Sequence, residues 1–120
     1  VIMPGYIDNS IIKGALQYAE CLLFPSYEET EGIVVLEALA SHCPVLVRRI
    51  GVYDGWLKEN ENCYMASSNE EFSKKLHELI NNDNEVMVNK GYEVVEERTL
   101  DKIGVQLRNI YEKFYKENKK

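Results

Sequence analysis

The chain has 120 residues, 45% of them hydrophobic and 28% charged, with a net charge of −6. That balance fits one soluble globular domain and excludes a disordered segment. It also speaks against a nucleic-acid binder, which needs a basic stripe against phosphates, and no apolar run reaches the roughly 20 residues of a bilayer span or the pattern of a signal peptide. The first residue is Val1 and the opening residues already read as a strand, so the chain is expected to be part of a longer polypeptide.

In chain order, "VIMPG" is expected to end a short strand, and "DNSIIKGALQYAE" a helix opened by Asp8, Asn9 or Ser10, with Ile11, Ile12, Ala15, Leu16 and Ala19 on one face. "CLLFPS" is continuously apolar up to Pro25 and predicts a buried strand. A helix over residues 32–41 follows, then a second buried strand, "PVLVRR", beginning at Pro44. "VYDGWL" predicts a helical turn and "NCYMA" another strand. Three helices complete the chain: "NEEFSKKLHELIN", opened by Ser68 or Asn69, one through residues 86–97, and one from about Leu100. Leu100, Ile103, Leu107, Ile110 and Phe114 make an apolar seam on the last helix, expected to pack on its own domain although a coiled-coil partner could use it.

Strands alternating with helices at this spacing predict an α/β fold, a Rossmann-like parallel sheet with helices on its faces. Such a sheet binds ligands beyond the carboxyl ends of its strands. The loops there are "PSYEETEG" and "RRIGVYDG", both rich in charge. Cys21, Cys43 and Cys63 lack metal-ligand spacing and read as reduced thiols in a cytosolic protein; His42 and His77 are isolated, so no metal site is expected. The basic run at residues 112–120 reads as a solvated helix end.

The glutamates of the first loop admit two readings. Acids in a first helical turn favour the helix dipole, and Ser26-x-x-Glu29 fits a capping box. Glu37 is harder to explain structurally, because every neighbour in "GIVVLEALA" is apolar or small and a carboxylate among such residues wants a donor. With helical geometry throughout, Glu29 and Glu37 would stand about 12 Å apart, the scale of two sugars joined through a pyrophosphate. Carboxylates accept from sugar hydroxyls, a helix N-terminus near Gly32 offers amides to phosphate, and Gly32 allows close backbone approach. The pattern suits a nucleotide sugar.

"FPSYEETEGIVVLEALASHCPVLV" resembles the signature of retaining GT-B glycosyltransferases, with a proline-serine strand end, a Glu-x7-Glu element (Glu29, Glu37) and then Pro44-Val45. Together, "EETEGIVVLEALA" and "PVLVRRIGVYDGWL" are similar to bacterial diacylglycerol glucosyltransferases. The resemblance covers most of residues 1–65. It implies part of a C-terminal nucleotide-sugar-binding domain, with the first strands of that domain and an N-terminal acceptor domain lying outside the chain. It further implies retaining transfer of glucose from UDP-glucose, a substrate rather than a cofactor, to diacylglycerol or its glucosylated product, on the cytoplasmic face of the membrane. Glu29 would position hydroxyls of the donor sugar without acting as a covalent nucleophile, Thr30, Glu31, Gly32 and Ile33 would face sugar and diphosphate, and Glu37 would hold the ribose.

Departures from that pattern matter. Where many relatives have Gly-Phe-Gly after the first glutamate, this chain has Thr30-Glu31-Gly32, a second acid beside an anion site. Arg48 and Arg49 lie at a suitable strand end, as compensating cations or as plain surface charges. His42 stands where relatives commonly have glycine, and is expected to accept an unusual backbone conformation as a C-cap does. Trp56 is expected to anchor its own turn rather than stack on sugar. Two other functions remain open from sequence: a glycosyltransferase for a capsular, cell-wall or other glycan acceptor, and a nonenzymatic α/β interaction domain that docks through the C-terminal seam.

Overall fold

The apolar run after Pro44 occupies the most protected place in the chain. In the computed structural model, which describes residues 1–119, β2 (Val45–Arg48) is buried at every position and lies between β1 (Leu22–Phe24) and β3 (Tyr64–Ala66). Both pairings are parallel, with Leu23 opposite Leu46 and Val47 opposite Met65. The period of two along β2 divides the core. Val45 and Val47 pack with Leu16, Val35, Ala38, Leu39, Tyr53, Leu57 and Cys63, whereas Leu46 packs with Tyr64, Ala66, Phe72 and Leu79. Helix α2 (Ile33–Ala40) thus covers one face, backed by α1 (Asn9–Tyr18) and α4 (Glu85–Glu96), and α3 (Asn69–Asn81) covers the other. This is the expected α/β arrangement, a Rossmann-like parallel sheet flanked by helices.

Local signals fix most of the helix ends. Asp8 caps α1 by accepting from Ser10 N at 2.8 Å. Ser68 caps α3 by accepting from Glu71 N at 3.1 Å, and Glu71 Oε2 accepts in return from Ser67 N at 3.0 Å, close to the reciprocal bonding of a capping box. After α2, His42 adopts φ 54°, the left-handed conformation anticipated for it. Its ring stacks on Tyr92 of α4, centroids 4.5 Å apart, so the strained position is also a packing point. Gly91 lets α4 approach α2 closely: a Cβ there would stand 2.7 Å from Leu39 Cδ2.

Four expectations need correction. Residues 1–5 form no strand and are exposed, because no neighbouring strand pairs with them. "CLLFPS" is an edge strand rather than a buried one: β1 pairs on one side only, leaving Leu23 45% exposed. The seam of α5 (Leu100–Asn118) does not pack on this domain; no residue of that helix is buried. Ile103, Leu107, Ile110 and Phe114 are between 43% and 65% exposed, since α2 with α4 and α3 already cover the two faces of the sheet. Finally, the residues read as a first helical turn are loop: α2 begins at Ile33, after Gly32 at φ 74° and ψ 42°. The 12 Å helical spacing of Glu29 and Glu37 therefore does not apply.

Candidate functional site

Because the strands are parallel, the segments after Phe24, Arg48 and Ala66 leave the same rim of the sheet. The first carries the acids. Ser26 Oγ donates to Glu29 Oε1 at 3.1 Å, a side-chain pair inside the loop; the capping-box reading of these two residues fails because no helix starts there. No acid lies in the first turn of α2. Glu29 is half-buried, Thr30 and Glu31 are exposed, Gly32 is buried, and Ile33, the first residue of α2, is 60% exposed.

Gly32 is fixed from below. A Cβ at this position would meet Tyr53 Cε1 at 2.9 Å and Trp56 Cη2 at 3.6 Å, and its positive φ is one that residues with a side chain rarely adopt. No side chain caps α2, and with the Val35 amide donating to Gly32 O at 3.0 Å the amides of Ile33 and Val34 are the ones available to an external acceptor. Glu37 lies one turn further along. It is exposed, not buried as its apolar neighbours implied, because α2 turns Val35, Ala38 and Leu39 inward. With Asn9, Lys13, Gln17 and Ser41 it lines a groove of about 380 Å³ between α1 and α2. The candidate acids thus flank the first turn of α2, Glu29 in the loop before the bend and Glu37 on the groove wall.

The second segment uses its cations internally. Arg48 is 7% exposed; its Nε donates to Pro25 O at 3.0 Å and its Nη1 to Ser67 O at 2.9 Å. Its guanidinium lies 3.9 Å from the centroid of the Tyr27 ring and 5.0 Å from that of Phe72. Arg49 points the other way along the pleat and pairs with Glu59 and, at 2.6 Å, with Glu71. Hydrogen bonds to those two carboxylates hold its pKa above the ordinary arginine value. In turn, the Ser67 amide, followed by Arg49, holds the Glu71 carboxyl below the ordinary range. Both arginines are therefore scaffold, tying β2 to the first loop, to the end of β3 and to α3.

Trp56 behaves as the anchor expected of it. Its Nε1 donates to Val52 O at 2.7 Å, and Arg98 of the segment after α4 lies over the ring at 5.5 Å. Sequence reading missed Asn62, which is buried; it donates through Nδ2 to Trp56 O at 2.9 Å and accepts from Lys58 N at 2.8 Å. The only signal for it was an asparagine just ahead of a buried strand, which many turns share. The importance of Tyr53 was missed as well, since an aromatic residue in a short turn gives no sign of lying beneath a glycine twenty-one positions earlier.

The three cysteines are free thiols. Burial pushes the pKa of all three up, Cys63 to about 12. Among the described residues, no group of three or more His, Cys, Asp or Glu could hold a metal ion, and no helix is long and apolar enough to cross a membrane.

Comparison with known proteins agrees with the fold. The chain is 47% identical over 116 residues to the processive diacylglycerol alpha-glucosyltransferase of Acholeplasma laidlawii, a match covering 97% of this chain and 35% of the relative. It is 33% identical over 72 residues to the alpha-monoglucosyldiacylglycerol synthase of the same organism, covering 60% of this chain and 18% of that relative. The chain thus spans about a third or less of the curated relatives it matches. Residues 1–94 match the profile of the family Glycosyl transferases group 1, and the chain belongs to that family.

Proposed function

We propose that this chain is the donor-binding portion of a retaining glucosyltransferase, the transferred glucose coming from UDP-glucose and the acceptor being diacylglycerol or a glucosylated diacylglycerol. The observation that carries the reading is the placement of Glu29 in the loop before, and of exposed Glu37 one turn after, the uncapped, left-handed start of α2, at the carboxyl rim of a parallel sheet. The names of the two relatives support glucose as the sugar and a diacylglycerol lipid as the acceptor.

In this assignment Glu29 accepts from hydroxyls of the donor glucose and Glu37 from the ribose hydroxyls. The backbone of residues 30–33 lies against sugar and diphosphate, with Gly32 permitting close approach and the first amides of α2 facing the phosphate oxygens. Transfer breaks the bond between the anomeric carbon and the diphosphate and forms one to the acceptor hydroxyl, whose proton leaves. Amides aimed at the departing diphosphate stabilise the charge that develops there. Arg48 and Arg49 take no part, being held by protein partners, so further compensation for the phosphates comes from elsewhere in the full-length protein. Its acceptor half lies in a separate N-terminal domain and works at the cytoplasmic face of the membrane, and residues 1–120 alone bind donor weakly and do not turn over.

The test is a product assay on the full-length protein with UDP-glucose and diacylglycerol in mixed micelles, with Glu29→Ala alongside. Glucosylated lipid from the wild type, reduced at least tenfold in the variant, is the expected result. UDP release only with a glycan acceptor would remove the lipid assignment, and no transfer to any acceptor would restore the interaction-domain reading.

A further inference from the structure

Tyr53 is 1% exposed, yet its hydroxyl has no hydrogen-bond partner. Buried phenols almost always reach an acceptor, and burial, with the Glu29 charge adding to it, pushes this one up to about 12, so it stays protonated at any working pH. Its ring cannot swing away. Trp56 packs edge-on against it with centroids 5.5 Å apart, and Cε1 lies so close under Gly32 that a Cβ there would be 2.9 Å away. Cε1 is bonded to the carbon that bears the hydroxyl, so the unpaired donor is carried to the backbone of the turn that follows Glu29. Glu29 meanwhile accepts on Oε1 from Ser26 Oγ at 3.1 Å, and its charge is near enough to raise the pKa of the Tyr53 hydroxyl.

We propose that Tyr53 is a positioning residue of the donor site: when the nucleotide sugar seats against the Gly32 turn, the buried Tyr53 hydroxyl donates to the Glu29 carboxylate and fixes its remaining oxygen toward the sugar hydroxyls. The inference rests on the donor-site reading given above and deepens it. The unpaired hydroxyl destabilises the empty protein and is satisfied only in the loaded one, which converts part of the donor's binding energy into orientation of Glu29.

Tyr53→Phe tests this, because it keeps the ring beneath Gly32 and removes only the oxygen. In the full-length protein, UDP-glucose Kd is measured by titration calorimetry and melting temperature without ligand, for wild type, Tyr53→Phe, Glu29→Ala and the double variant. The expected result is a melting temperature equal to or above wild type in Tyr53→Phe, together with about tenfold weaker UDP-glucose binding, the scale of one hydrogen bond to a charged acceptor. In the Glu29→Ala background the Tyr53→Phe change adds nothing. Unchanged affinity in Tyr53→Phe, with loss in Glu29→Ala, would overturn the inference and leave the donor site standing. Equal losses from Tyr53→Phe with and without Glu29 would overturn it too, since the tyrosine would then act independently. Should Glu29→Ala itself leave Kd unchanged, the donor-site reading fails and this inference fails with it.

Discussion

Where β2 ends, Arg48 is enclosed between two aromatic rings and Arg49 between two carboxylates; where β1 ends, Thr30 and Glu31 stand exposed and Glu29 holds a single hydroxyl. Two charged segments on one rim are thus put to opposite uses. The arginine side stiffens the rim by joining β2 to the Pro25 carbonyl, to Ser67 and to α3. The acid side, in the proposed function, keeps its acceptors for the donor sugar. The difference follows a general requirement of binding sites, that the groups meeting a ligand be held by others already satisfied within the protein. It also accounts for the arginines failing to offset Glu31: the Arg49 charge is matched by Glu59 and Glu71, and the Arg48 guanidinium is held by backbone carbonyls and aromatic rings.

The comparison breaks most visibly at Arg48. Arg48→Ala removes two hydrogen bonds to backbone carbonyls and the filling between Tyr27 and Phe72, and is expected to lower stability by about 3 kcal/mol in urea unfolding. Arg48→Lys recovers less than half of that, because an ammonium cannot bond both carbonyls in the planar fork and stack at once. A loss below about 1 kcal/mol for Arg48→Ala would mean that the arginine does not tie β2 to the first loop and the end of β3.

Gly32 is the point where the acid loop touches the core. Gly32→Ala forces a side chain into the left-handed region, about 1–2 kcal/mol, and against Tyr53. A loss of about 2 kcal/mol is expected by thermal or urea unfolding, together with weaker UDP-glucose binding. Wild-type stability with wild-type donor affinity would show that the loop adopts another conformation.

The smallest effect belongs to the exposed pair at Arg49. Glu71 has a folded pKa below its ordinary value near 4.5, so the stability it contributes is present above that value and is lost as pH falls through the lower folded pKa. Urea midpoints between pH 6 and pH 3 are expected to fall slightly less steeply in Glu71→Gln than in the wild type. Identical slopes would remove Glu71 from the acid response. Arg49, with its pKa raised from an already high value, does not titrate in this window.

Much of the fold was legible because its parts are local. The left-handed His42 and the Ser68 cap each depend on a residue and its near neighbours, and alternation along the chain suffices to predict a parallel sheet whose carboxyl rim carries the Glu29 loop, whereas the left-handed bend at Gly32 was missed. The resemblance of the Glu-x7-Glu segment led to the family later matched over residues 1–94. What sequence misjudged was burial. Glu37 seemed enclosed by apolar neighbours, but a helix has faces, and which of them is covered depends on where α1 and the sheet sit.

The sequence by itself therefore determined the order of the elements from α1 onward, the Asp8 and Ser68 caps and the loop that carries the acids, since those follow from backbone preference and interactions within a few residues. Only the tertiary structure decided that Arg48 is enclosed while Arg49 is half-exposed, that Tyr53 lies beneath Gly32 with an unpaired hydroxyl, and that the seam of α5 stays uncovered. Each of those depends on a surface supplied by residues far along the chain, and periodicity along a single element carries no record of which surface will meet it.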